Sequence, residues 1–592
     1  MTRESVGATE QTSQRAAEKP FARLVRHCVE RILHGGDDSS SDELDFGIGT
    51  MLGLLAMPGA FATIFLLDKY GSFFRFLRGE GKFDPYAASL PDEYFFIVLA
   101  MVVTGAVAIW KWDTLIPGHR DYANLAPLPI SSRNIFLANL TALLLLTGVL
   151  ALDVNAASSV LFPLMVCGSE SSFAYLIVFL GTHLLSVLLA SIFSFFVVLA
   201  VLGLLMAALP YRVFRACSVY VRCAMAIFLM AMLSTSFAMV GFVQNPSATS
   251  RLLIKLVSPL WFLGLCQFLR GVAGPAFASL GRFAVVGFAT ALILALGAYA
   301  LSYRRCFTQS AEAVANLPSK GGLAGEQFFR SLDKLFLKTP FERACFRFSL
   351  RTLSRSESHA LIVGGFTGLG IVLASQTLFE AARAAPHGST SPSALPSADV
   401  LSVPLILGYF LLLGMRFAFD IPVALRANWI FRFTANPETS ECVPLARKIM
   451  LTFLIPLLLL VCLPVCVWRW GWSMGVTHTA IVAVLCLMLT EILLVRFRKI
   501  PFTCAAPAFK SSALVTVVFY FLGFAIFTSG TSTAERWALE DPLRYLVVVP
   551  ALAGAWLVLR RYRDEMTELD TRLTFVEQPD AAVEVLDLTF RR

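Results

Sequence analysis

Residues 173–209 read FAYLIVFLGTHLLSVLLASIFSFFVVLAVLGLLMAAL, a run without a single Asp, Glu, Lys or Arg. A membrane-crossing helix needs about 20 predominantly apolar residues, so the run is too long for one vertical span. With Leu161–Cys167 before it, it is expected to enter tilted or partly re-entrant from the outer side. The whole chain has the same character. Of 592 residues, 57% are apolar and 15% charged, mean hydropathy is +0.70, and there are fifty phenylalanines. Soluble domains carry roughly 25% charged residues, so the soluble, disordered, collagen-like and disulfide-scaffold classes are excluded. The 49 Lys and Arg against 40 Asp and Glu fall in short loops between apolar runs. Membrane topology accounts for that excess, and no nucleic-acid partner is expected.

The apolar runs predict an all-α polytopic membrane protein, with about 12 transmembrane helices in two parallel six-helix units. Spans are expected near 46–67, 93–110, 134–152, 182–209, 223–243 and 283–303. A second set is expected near 359–379, 400–419, 449–468, 478–495, 512–530 and 545–560. With the N-terminus inside, cytosolic segments hold 36 of the 49 basic residues and outside segments 12, while Arg416 lies within a span. That bias places both termini in the cytosol. The first 45 residues have no apolar h-region or small-residue cleavage site, so no removable signal peptide is expected.

Each set of six follows an amphipathic stretch. Phe21, Leu24, Val25, Cys28, Val29, Ile32 and Leu33 recur at helical spacing, opposite Arg23, Arg26, Glu30 and Arg31. Before the second set, Thr339-Pro340-Phe341-Glu342 reads as a cap, first-turn proline and capping box. Phe341, Ala344, Cys345 and Phe348 then form a stripe among Arg343, Arg347 and Arg351. Each stripe fits either a helix lying on the lipid bilayer or one packed on the protein's own cytosolic face. The loops between the second and third spans also correspond. Ile116-Pro117, Arg120, Ala123-Asn124-Leu125 and Arg133-Asn134-Ile135 match Ile421-Pro422, Arg426, Ala427-Asn428-Trp429 and Arg447-Lys448-Ile449. Four leucines follow at the same offset, Leu143–Leu146 and Leu457–Leu460, which favours a parallel duplication.

No P-loop, nucleophile elbow, zincin or kinase signature occurs, so neither an enzyme active site nor a cofactor is expected. No Cys/His group has zinc-ligand spacing. Ionisable residues inside spans are costly and mark function or pairing. Arg416 and Glu491, each near the cytosolic end of a span, are either snorkelling side chains or a pair between neighbouring helices. His183 is placed near the outer end of its span, and no carboxylate falls at a predicted midplane, which argues against ion coupling.

The loop 111–135 carries the most specific signal. Leu128, Pro129, Ile130, Ser131, Arg133 and Ile135 resemble the Leu-Pro-Ile/Val-Ser-x-Arg motif of type-2 ATP-binding-cassette exporter permeases. The resemblance implies a short cytosolic coupling helix that meets a separate P-loop ATPase subunit. It also implies an irregular outer segment before the sixth span, here 245–281 with Pro259-Leu260-Trp261-Phe262. Asn139 departs from the lysine common in the family, and the second loop keeps a remnant, in which Arg426, Trp429 and Arg447 are the candidate contacts. The organisation expected is a tail with its interfacial helix (1–45), a six-span unit (46–304), a cytosolic linker with amphipathic helices (305–358), a second unit (359–560) and a C-terminal tail (561–592). The function implied is that of a bacterial plasma-membrane export permease. A secondary transporter and a non-transporting membrane scaffold are the alternatives.

Overall fold

A computed structural model describes residues 20–34, 48–70, 84–115, 129–167, 172–236, 255–271, 275–313, 337, 339–384, 396–423, 442–495, 497, 499–503 and 513–569. Among these residues every regular element is a helix, and ten helices are long and apolar enough to cross a membrane. The protein is an all-α polytopic membrane protein. It divides into two compact units, residues 1–318 and 319–592.

The first unit contains α1 (Pro20–His34), α2 (Ile48–Tyr70), α3 (Pro85–Trp110), α4 (Ser132–Cys167), α5 (Phe173–Ala208), α6 (Tyr211–Ser234), α7 (Ser258–Arg270) and α8 (Pro275–Ala313). Helix α5 is the unit's spine, in contact with α3, α4, α7 and α8, while α2 lies along α4. Its 36 residues extend about 54 Å against a hydrocarbon core of about 30 Å, so it tilts or projects. Leu161–Cys167 is not the entry to α5 but the end of α4, which is also 36 residues long. Polar residues in that half do not break the helix, and the Asn155 and Ser158 side chains bond to its own carbonyls. Asn155 Nδ2 donates to the Ala151 carbonyl (2.8 Å) and to Ser191 Oγ of α5 (2.9 Å). Helix α6 covers the expected fifth span as far as Ser234, and the rest of that span, from 237 to 243, lies outside the described residues.

The segment Pro259-Leu260-Trp261-Phe262 is not irregular. It forms the first turn of α7, with proline in the N-terminal position that lacks a backbone partner anyway, and Gly271 closes the helix in the left-handed region (φ 78°). Thirteen residues are too few to cross a bilayer. Helix α7 instead packs into the unit against α8, α5 and α3. At Gly264 a Cβ would stand 2.9 Å from the Phe277 carbonyl oxygen, so glycine sets how closely α7 approaches α8.

The second unit contains α9 (Pro340–Arg355), α10 (Glu357–Ala384), α11 (Ala398–Ala418), α12 (Cys442–Trp470), α13 (Trp472–Leu494), α14 (Ala513–Ala525), α15 (Thr531–Glu540) and α16 (Tyr545–Leu569). Helix α12 holds a π turn at Leu457–Cys462, between Pro456 and Pro464, and a π turn at Ile526–Gly530 joins α14 to α15. Proline removes a backbone donor, and the wider turn re-pairs the ladder. Here the first long helix, α10, lies along α11, with Phe366 stacked on Phe417 (5.3 Å). In the first unit the first long helix, α2, packs on the third long helix, α4, instead, so the two units differ in this packing.

Both amphipathic helices bury a face in their own unit. In α1 it is Leu24, Cys28 and Ile32, against α4. In α9 it is Cys345, Phe346, Ser349 and Leu350. The expected α9 stripe is therefore displaced, with Ala344 exposed and Phe346 buried.

Candidate functional site

The described part of the coupling motif is the approach to α4. Leu128 lies outside the described residues, as do Arg426 and Trp429 of the second loop. Pro129, Ser131 and Arg133 are exposed, Ile130 is half-buried, and Ile135 is buried as the anchor of the first turn. Ser131 Oγ accepts from the Asn134 backbone N–H (3.3 Å), satisfying one of the helix's unpaired donors. The Arg133 guanidinium pairs with no carboxylate among the described residues.

One turn further, Asn139 ties the motif to the rest of the unit. Its Oδ1 accepts from Arg31 Nη2 of α1 (2.5 Å). Its Nδ2 donates to the Leu115 carbonyl (3.3 Å) and to the Tyr299 hydroxyl of α8. Lys111 Nζ donates to the Leu33 carbonyl at the end of α1 (2.7 Å), and burial pushes its ammonium below the usual lysine range. Asp113 takes a two-point contact from Arg222 of α6, one arm at 2.8 Å, with Trp112 buried beneath the guanidinium. The root of the loop thus joins α1, α3, α4, α6 and α8. A push on Arg133 meets a connected set of polar contacts rather than a free hinge.

Asn139→Ala is expected to cost about 2–3 kcal/mol, since it removes three bonds and one of them is to a cation. Its readout is amide exchange in α1, which should accelerate. Unchanged exchange would mean that the apolar face alone holds α1.

The corresponding end of the second unit has its own network. Thr339 Oγ1 caps α9 by accepting from the Glu342 N–H (3.1 Å), and the Glu342 carboxylate reaches Lys448 Nζ of α12 (2.6 Å). Arg416 and Glu491 do not form the pair considered from the sequence. Arg416 binds Asp420 (2.5 Å) and the Leu493 carbonyl (3.0 Å), whereas Glu491 binds Arg447 (2.6 Å). Asp420 is four residues from Arg416, close enough to reach it past the end of α11, and Lys499 also binds Asp420 (2.8 Å). Arg447 is consequently committed to α13.

Two buried ionisable groups at the opposite ends of these helices are new relative to the sequence reading. Glu93 of α3 accepts from Arg270 Nη1 (2.7 Å), Gln267 Nε2 (2.8 Å) and Ser89 Oγ (3.3 Å). Arg270 also stacks on Phe179 (3.7 Å), one turn from the fully buried His183. In the second unit His478 Nδ1 meets Glu535 Oε1 (2.7 Å), both buried, with Trp470 edge-on to the imidazole (5.5 Å). A Thr-His pair therefore sits in the fourth long helix of each unit, at 182–183 and 477–478. No group of His, Cys, Asp and Glu among the described residues is placed to hold a metal ion. Compared with known proteins, the chain matches no family model, no curated protein and no solved structure.

Proposed function

We propose that the chain is the membrane-spanning permease of an ATP-binding-cassette-type exporter, with ATP hydrolysis supplied by a separate subunit. One observation carries the reading: the exposed Pro129–Arg133 approach leads into α4, whose Asn139 bonds to α1 and α8, while Asp113 at the other end of the loop bonds to α6. That is what a contact needs if it is to convert motion of a docked ATPase into helix motion. The two units are the products of a parallel duplication, both termini face the cytosol, and the membrane is a bacterial plasma membrane. The divergent packing of α2 and α10, and the commitment of Arg447 to Glu491, make the second unit the less active partner in coupling.

The test is whether a neighbouring reading frame encodes a P-loop ATPase and whether that ATPase co-purifies with the chain. Arg133→Glu reverses a charge that no carboxylate among the described residues pairs, so the fold survives while partner affinity falls by about 2 kcal/mol, roughly 30-fold. Equal recovery of the ATPase by both chains would remove Arg133 from the mechanism. The buried carboxylates Glu93 and Glu535 favour a second reading, a transporter driven by an ion gradient. Flux in vesicles that follows an imposed proton gradient, with no ATPase present, would replace the first reading with it.

A further inference from the structure

Helix α9 has a second face that carries arginines. Arg347, Arg351 and Arg355 follow one another at four-residue spacing and, with Ala344, Phe348 and Val423, line a cavity of about 600 Å³. All three arginines are exposed, and the side chains of Arg351 and Arg355 pair with no carboxylate among the described residues. The position is fixed by the chain. Ser356 alone separates α9 from α10, which is long and apolar enough to cross a membrane, so the groove lies at the membrane surface.

We propose that this groove binds the headgroup of an anionic phospholipid bearing two phosphates, of the diphosphatidylglycerol type. Eight helical residues separate the outer arginines along about 12 Å of axis, so the three guanidinium groups form a line rather than a point. A single phosphate engages one adjacent pair of arginines. Two phosphates joined by a glycerol engage the whole line, each by the forked contact that guanidinium makes with phosphate oxygens. Phe348, Ala344 and Val423 offer apolar surface to the first carbons of the acyl chains. The bundle buries the Cys345 side of α9 and leaves the arginine side exposed. The site is independent of any ATPase, and its test can fail without touching the permease reading.

The experiment uses the full chain purified in neutral detergent and equilibrated with phosphatidylcholine micelles. These contain either diphosphatidylglycerol or phosphatidylglycerol at equal charge, and bound lipid is read by native mass spectrometry. The wild-type chain should retain diphosphatidylglycerol in preference to both other lipids. R351Q/R355Q should retain about tenfold less, and R351K/R355K, which keeps the charges, should fall between. Unchanged retention by R351Q/R355Q, at an unaltered elution volume, would overturn the proposal. Equal retention of phosphatidylglycerol would remove the two-phosphate assignment. Displacement of the lipid by excess inorganic phosphate would make the groove a site for free anions and overturn the lipid assignment.

Discussion

Arg270→Met should lower the unfolding midpoint of the chain further than any single change in the Arg133 loop. The Arg270 and Glu93 side chains are only 3% and 0% exposed, and their 2.7 Å contact joins the last turn of α7 to α3. Removing the guanidinium leaves Glu93 buried with Gln267 and Ser89 as its remaining partners. Stranding one member of a buried pair costs about 3–5 kcal/mol, whereas replacing both by apolar or neutral groups of similar size is close to neutral. Thermal unfolding in detergent, followed by size-exclusion chromatography, should therefore show a large loss for Arg270→Met. Glu93→Gln/Arg270→Met should recover most of it. If the double variant is as unstable as the single one, the loss comes from the other contacts of Arg270, such as its stacking on Phe179, and not from a stranded Glu93.

The reason this pair was invisible in the sequence is instructive. Glu93 is the first residue of the expected span 93–110, where a carboxylate reads as a helix end at the water boundary, and its partner lies 177 positions away. Hydropathy locates a membrane helix because each residue contributes to the average wherever its partners are, so ten of the expected spans overlap a described helix long and apolar enough to cross a membrane. Partner choice depends on tertiary geometry that no periodicity encodes. Arg416 and Glu491 lie at the same end of the unit and have opposite charge, yet each finds a nearer partner. Continuity is equally hard to read. Asp153, Asn155, Ser158 and Ser159 look like a loop after a span, but Asn155 returns its donor to the Ala151 carbonyl and the helix runs on to Cys167. In α9 the apolar residues occupy two faces, and which one the bundle covers was not in the pattern. The start of α4 beside Arg133 was legible from local hydropathy, whereas the Asn139 network at its root, which draws on Arg31, Leu115 and Tyr299, was not.

Glu535→Gln should separate two states of the buried His478–Glu535 pair that have the same geometry. Gly471 sets that geometry, joining α12 to α13 as a single residue at φ 84° and ψ 169°, a conformation essentially confined to glycine. The hairpin is tight enough that a Cβ on Gly475 would lie 2.7 Å from the Val467 backbone nitrogen, and it brings Trp470 against His478. Neither His478 Nε2 nor Glu535 Oε2 has a hydrogen-bond partner among the described residues. The 2.7 Å contact is therefore the interaction that compensates burial of both groups. Where the pair is ionised, the amide leaves a buried imidazolium facing a neutral group, and the loss should approach about 3–5 kcal/mol. Where it is neutral, glutamine can still bond to Nδ1 and the loss should stay near about 1 kcal/mol. Glu535→Ala fixes the upper limit, since it strips His478 of its bond in either state. Measuring both unfolding midpoints places the pair on this scale. A Glu535→Ala chain as stable as wild type would mean that the pair is not what fixes α15 against α13.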